Sequence, residues 1–294
     1  MLPGKEVHMS LVKVMLIGDV VGDPGIAVLE SDLRSLIAEF GASFVIVNGE
    51  NAASGFGLTP ATLERILVAG ADVVTSGNHV WEKRDLWPFL DSEARLLRPA
   101  NYPEDAPGHG SGVFVKDGIA WAIINLQGRE EMSPIDCPFH MGERLLDELD
   151  GKSVITLIDF HAETTREKES LAFHLDGRVG AIVGTHTHVR TADARLLPKG
   201  TAYITDLGMT GVVDGIIGMD ATICLNRCKT LIPFRMECAA GAVAISGALI
   251  GFDTETRKAV SIEGFGRKVA LVQGGTASGV VVDGTGPGNE KAVG

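Results

Sequence analysis

Two histidines one residue apart, His186 and His188 in "VGAIVGTHTHV" (179–189), follow a run of small apolar residues. In an extended segment, side chains at i and i+2 share a face roughly 6.6–7 Å apart. That spacing suits two ligands on one metal, or one ligand on each of two neighbouring metals. It is equally the spacing of two solvated histidines at a strand end, so this stretch alone leaves both readings open.

Similar groups stand at the ends of other apolar runs. Asp19 closes "VKVMLIGD", Glu50 and Asn51 close "SFVIVNGEN", Asn78 and His79 close "DVVTSGNH", and His161 closes "SVITLIDFH". Singly, each reads as a turn former, a cap or a satisfied structural histidine. Together, five strand ends each deliver a carboxylate, carboxamide or imidazole to what reads as one edge of one sheet. The C-terminal strand edge is where open α/β sheets bind ligands. Carboxylate, amide oxygen and imidazole without thiolate make a borderline-hard donor set that suits iron, manganese or zinc. Asp19, Glu50, Asn51, Asn78, His161, His186 and His188 are too many for one ion and about right for two, if one carboxylate bridges. Such a pair is the apparatus of two-metal phosphoryl hydrolysis.

The elements that must position these groups alternate along the first half. Strand 12–19, helix 25–41, strand 43–51, helix 58–71 with Thr59 as N-cap and Pro60 at N1, and strand 72–79 form a βαβαβ pattern. Short connections of this kind make a parallel sheet with right-handed crossovers. Strands are expected again at 119–126, 153–161 and 179–188, the last two separated by a helix around 163–173. Beyond residue 190, "ARLLPKGTAYITDLG", "LIPFRMECA", "GAVAISGALIGFD" and "KAVSIEGF" resemble hairpin strands, with one helix around 219–230. The expected division is an extension over 1–11, one domain over 12–268, and a glycine-rich, loosely held tail over 269–294.

Composition narrows the class. The 294 residues are 45% hydrophobic and 22% charged, enough apolar material for a substantial core. No apolar stretch approaches the roughly 20 residues of a membrane span, and "MLPGKEVHMS" carries no signal-peptide core, so the expected location is the cytoplasm. The net charge of −12 repels long nucleic acids yet permits a small phosphorylated ligand beside bound cations. Cys137, Cys224, Cys228 and Cys238 lack the paired spacing of a zinc site and read as reduced thiols.

The blocks "IGDVVGDPG", "VNGENAASGFGLT", "TSGNHVWEK", "RPANYP", "INLQGR", "IDFHAE", "VGTHTHVRTAD" and "PKGTAYITDLGMTG" occur in an order and spacing that resemble the YmdB-type bacterial metallophosphoesterases, from about Val12 to Phe265. The resemblance implies an α/β fold, a calcineurin-like β-sandwich of two mixed sheets flanked by helices. The wider superfamily opens with Asp-x-His and bridges its metals with Asp. Here Val21 stands two after Asp19, and Glu50 takes the bridging place, as in the YmdB branch. Carried over residue by residue, the resemblance implies that Asp19, Glu50, Asn51 and His188 hold a first ion. Glu50 bridges to a second, completed by Asn78, His161 and His186. Iron is the first expectation for both ions, with manganese or zinc as alternatives.

His79 is implied as general acid, facing the leaving group; its alternative is to orient phosphate without proton transfer. An unperturbed imidazole near pKa 6.5 can donate a proton near neutrality, which supports the role independently. The implied activity is phosphodiester hydrolysis of 2′,3′-cyclic or 3′,5′-cyclic nucleotides by in-line attack of a hydroxide held between the ions. Two alternatives stay open: a phosphomonoesterase or phosphoprotein phosphatase with the same ions, and a regulatory protein whose metal centre is mainly structural. A small diester is the expected partner, with no membrane and no long nucleic acid; a homo-oligomer is left open. "GFG" (55–57) reads as a turn, Lys83 and Arg84 as solvent-facing, and Arg129 and Arg190 stay outside the site.

Overall fold

Local chemistry sets the helices where the sequence signals them. Thr59 closes a capping box with Thr62: its hydroxyl accepts from the Thr62 amide, and the Thr62 hydroxyl reciprocates to the Thr59 amide. The computed structural model describes residues 11–269. In chain order, the first half holds β1 (Leu11–Ile17), β2 (Asp19–Val20), α1 (Gly22–Phe40), β3 (Phe44–Asn48), α2 (Pro60–Ala69), β4 (Val73–Thr75), α3 (Trp87–Ser92), β5 (Leu96–Leu97), β6 (Ser111–Lys116) and β7 (Ile119–Gln127). There follow α4 (Pro138–Leu149), β8 (Ile155–His161), α5 (Thr165–His174), β9 (Ala181–Thr185), β10 (Arg195–Leu196), β11 (Ala202–Ile204), β12 (Met209–Val212), α6 (Ala221–Thr230), β13 (Val243–Asp253) and β14 (Ala259–Val269).

The strands divide between two mixed sheets, the sandwich that the family resemblance implies, and the strand-end donors come from both and not from one edge of one sheet. The first has the order β2-β12-β13-β1-β3-β4-β5, with β14 pairing β13; the second runs β10-β11-β9-β8-β7-β6. β1, β3 and β4 run parallel, and so do β7, β8 and β9. Alternation along each strand sends one set of side chains inward and the other outward. Val14, Leu16, Phe44 and Ile46 of the first sheet bury against Trp121, Ile123, Leu157 and Val183 of the second. Met15, Ile17, Val45 and Val47 bury against Leu29 and Leu33 of α1 and Leu63 and Ile66 of α2. Ile158, Phe160 and Ile182 do the same against α4 and α5. The result is four layers, α/β/β/α, with the C-terminal ends of the parallel strands of both sheets on one side.

Several expectations change. β1 takes in Leu11 and β14 takes in Val269, so both strands reach one residue past the expected domain limits. The remainder of the expected extension and glycine-rich tail lies outside the described residues. "LIPFRMECA" is not a strand: only Cys238 bridges, to Met219, while Leu231, Ile232 and Phe234 are exposed. Pro233 has no amide to give a ladder, and no partner strand among the described residues lies alongside. β9 ends at Thr185, short of both histidines. No helix among the described residues is long and apolar enough to cross a membrane.

Candidate metal centre

The seven residues expected as ligands come together where the two sheets end. Asp19 forms the short β2, held beside β12. Glu50 and Asn51 follow β3, Asn78 and His79 follow β4, and His161 is the last residue of β8. Asp19, Glu50 and His161 are completely buried.

His186 and His188 do not share the face of an extended strand. Both have left-handed backbones, with φ of +100° and +65°. Such conformations cost about 1–3 kcal/mol each in a non-glycine residue and persist only when neighbours over-determine them. Here they do. The His186 amide donates to Asp19 Oδ2 (3.1 Å), the Thr187 amide and hydroxyl donate to Asp206 Oδ2 (3.1 and 2.8 Å), and the His188 ring meets the Ile217 carbonyl. Asp206 is itself buried and paired with buried Lys168 at 2.8 Å.

Two groups of donors result. In one, Nε2 of His161 lies 2.5 Å from Glu50 Oε2, 3.2 Å from Asn78 Oδ1 and 3.0 Å from Nδ1 of His186. In the other, Nε2 of His188 lies 3.1 Å from the side-chain Nδ2 of Asn51 and 4.0 Å from Asp19 Oδ1. Glu50, His161 and His186 offer ligand atoms that all fall within 4.8 Å of one another.

The outward nitrogen of each imidazole decides what the inward one can be. Nδ1 of His188 faces the Ile217 carbonyl at 2.9 Å, an acceptor only, so that nitrogen carries the proton. Nε2 of His186 lies 3.0 Å from Glu163 Oε2 and donates likewise. Nδ1 of His161 lies 2.9 Å from the Thr185 hydroxyl, which donates onward to Asp159 Oδ1 at 2.8 Å. A hydroxyl that donates to a carboxylate accepts from the ring. All three rings therefore present bare lone pairs inward. The His161 and His186 lone pairs face one another and the Glu50 and Asn78 oxygens, and so repel unless a cation lies among them, while that of His188 accepts from Nδ2 of Asn51.

Two further observations fit a metal. Asp19 Oδ1 and Glu50 Oε2 are buried and receive no hydrogen bond, the latter despite its closeness to His161. Burial raises Asp19 above the usual carboxylate range and pushes Glu50 up to about 7. Burial also drives His161 down to about 3 and His186 down to about 2, keeping both neutral. Neutral imidazoles and carboxylates waiting for positive charge are what a cation site requires.

His79 stands beside this cluster. Its amide donates to Glu50 Oε1 at 3.3 Å, Nδ1 lies 3.3 Å from Glu82 Oε1, and Phe56 meets its ring edge-on at 5.1 Å. Arg190 packs its guanidinium near Gly264 and Gly266 of β14, and Arg129 points at Cys137 Sγ, both outside the cluster.

Sequence reasoning missed the supporting shell. Asp159 accepts from Thr75 Oγ1 (2.5 Å), Asn48 Nδ2 (3.0 Å) and Thr185, tying β3, β4 and β9 to β8 beneath the centre. Burial pushes Asp159 up to about 7 against the lowering effect of those bonds. One signal was available: Asp159 and His161 are i and i+2 on a strand and share a face.

A family model described as "YmdB-like protein" matches residues 15–265. A 2′,3′-cyclic-nucleotide 2′-phosphodiesterase of Bacillus subtilis is 47% identical over 251 residues, 85% of this chain and 95% of that protein. A crystal structure of a hypothetical protein from Thermus thermophilus superposes with a TM-score of 0.83 at 38% identity, covering 87% of this chain and 99% of that one. A structure described as a novel phosphatase from Mycoplasma pneumoniae also gives 0.83, at 33% identity, covering 88% and 94%.

Proposed function

The chain belongs to the YmdB-like protein family, and on that premise we propose that it is a metal-dependent phosphodiesterase acting on small cyclic nucleotides, 2′,3′-cyclic first and 3′,5′-cyclic second. The observation that carries this reading is the outward protonation of His161, His186 and His188, which leaves three imidazole lone pairs converging with Glu50, Asp19, Asn51 and Asn78. In this reading Asp19, Asn51 and His188 would hold one ion, Asn78, His161 and His186 a second, with Glu50 between them. When bound, such ions supply Lewis-acid activation of water and neutralise charge on the phosphoryl oxygens. The donor set, free of thiolate, suits iron or manganese, with zinc as an alternative.

The chain's own groups do the rest. Glu82 at Nδ1 of His79 holds that nitrogen as the donor to its carboxylate and leaves Nε2 as the atom that moves a proton. The Glu50 carboxylate accepts the His79 amide and fixes the backbone that carries the ring. As the oxygen of a water bonds to phosphorus and gives up its proton to solvent, the ester bond to O2′ breaks, and O2′ takes the proton from Nε2 of His79, which solvent then restores. The reading extends to a substrate that is small, because a chain of net charge −12 repels a long polyanion.

The test is turnover by chelator-stripped protein reloaded with Mn²⁺ or Fe²⁺. Release of a nucleoside monophosphate from 2′,3′-cyclic AMP, faster than phosphate from p-nitrophenyl phosphate and absent without metal, is expected. Faster monoester turnover overturns the diesterase reading.

A further inference from the structure

A cleft of about 570 Å³ opens beside His79, and it takes no part in the metal cluster. Ser54 and Phe56 from the loop after β3, Glu82 and Lys83 from the loop after β4, and Arg235 and Met236 from the segment before β13 line it. Two of these, Phe56 and Glu82, are the side chains that touch the His79 ring. The segment carrying Arg235 and Met236 is fixed there by the bridge between Cys238 and Met219 and by packing of Met236 and Phe56 into one small apolar cluster with Val21.

The lining is amphipathic in a particular way. An aromatic ring and a thioether offer soft, flat, apolar contact. The Ser54 hydroxyl, three carboxylates (Asp23, Glu82 and Glu237) and two cations (Lys83 and Arg235) stand around them. The volume falls within the range of small-molecule clefts, about 300–1,000 Å³. A nucleobase matches this chemistry, with a polarisable face and an edge of donors and acceptors. The position matches too. The oxygen protonated at His79 belongs to the ribose, and the ribose carries the base.

We propose that this cleft binds the nucleobase of the substrate and that Arg235 and Met236 are specificity residues. The inference rests on the diesterase reading above and assigns a subsite to it.

The experiment compares 2′,3′-cyclic AMP with glycerol 1,2-cyclic phosphate, which has the same strained diester and no base, on Mn²⁺-loaded protein. The natural chain is expected to favour the nucleotide at least tenfold in kcat/KM. Arg235→Ala/Met236→Ala is expected to lose that preference through KM for the nucleotide, with glycerol cyclic phosphate turned over as before. Lys83→Ala, on a separate loop, gives a second reading if the double variant folds poorly. Equal preference in the natural chain overturns the subsite while leaving the diesterase reading intact. So do variants that lose both substrates in equal measure, and variants that lose neither. Turnover of neither substrate by the natural chain overturns the diesterase reading, and the subsite with it.

Discussion

The hydroxyl of Thr185 stands 2.9 Å from Nδ1 of His161 and donates to Asp159 Oδ1 on its other side. This relay selects the tautomer in which His161 Nε2 is free to bind metal. Thr185→Val keeps the shape and deletes the relay. Metal affinity is expected to fall about 10–100-fold, with Thr185→Ser close to the natural chain. Calorimetric titration of the stripped proteins with Mn²⁺ measures this; unchanged affinity in the Val variant refutes the relay.

His79 touches Glu50 only through its backbone amide. His79→Ala is therefore expected to keep its metal content while turnover of 2′,3′-cyclic AMP drops about 10²–10⁴-fold. Elemental analysis beside steady-state kinetics separates the two effects. Parallel loss of metal removes His79 from the proton-donating role.

Gly77 precedes the ligand loop with no room for a side chain. A Cβ there would run into Glu50 Oε2 and the Nε2 edge of His161. Gly77→Ala is expected to weaken metal binding about tenfold or more while the far-UV spectrum is unchanged, because the obstruction falls among ligand atoms. Natural affinity in this variant means that the cluster is not the binding site.

The pH dependence follows from proton counts. Glu50, at about 7 when folded against an ordinary 4.5, keeps a proton that the unfolded chain has lost between those values. It therefore lowers the stability of metal-free protein as pH rises through that window. Asp159, raised to about 7, acts in the same sense from 3.8 upward. His161 and His186 are held low, so the unfolded chain binds their protons first, and stability rises with pH up to 6.5. The two effects oppose one another between about 3.8 and 6.5. Above 6.5 only the carboxylates act, and metal-free protein loses stability until about pH 7. Metal needs Glu50 ionised, so Mn²⁺ is expected to raise Tm more near pH 8 than near pH 5.5. Differential scanning fluorimetry at both values checks it, and an equal rise at both contradicts it.

Lys168 and Asp206 form a buried pair that also receives Thr187, the residue between the two loop histidines. Lys168→Met leaves Asp206 charged and without its cation. Such a loss destabilises by about 3–5 kcal/mol, to be read from urea unfolding of the metal-free protein. A change under about 1 kcal/mol would place the pair among those that surrounding hydrogen bonds already satisfy.

The strand-end pattern was legible because burial and periodicity are local. Apolar runs at 12–17, 44–48 and 155–161 could only be buried strands, and the polar residues that stop them could only lie at their ends. The Thr59 capping box was legible for the same reason. Asp159 and Thr185 were not, since their worth lies in partners 84 and 26 residues away, at Thr75 and across β8 and β9.

Residue types and order by themselves determined the parallel βα units, the thiolate-free donor set and the family resemblance, for these are properties of short segments and their succession. Tertiary structure alone decided which donors come from which of the two sheets. It also decided that His186 and His188 turn through left-handed backbone, and that a chain segment from before β13 walls the cleft beside His79. Periodicity states that a strand is buried on both faces, but not against which sheet. That choice is made by side chains distant in sequence packing into the same volume.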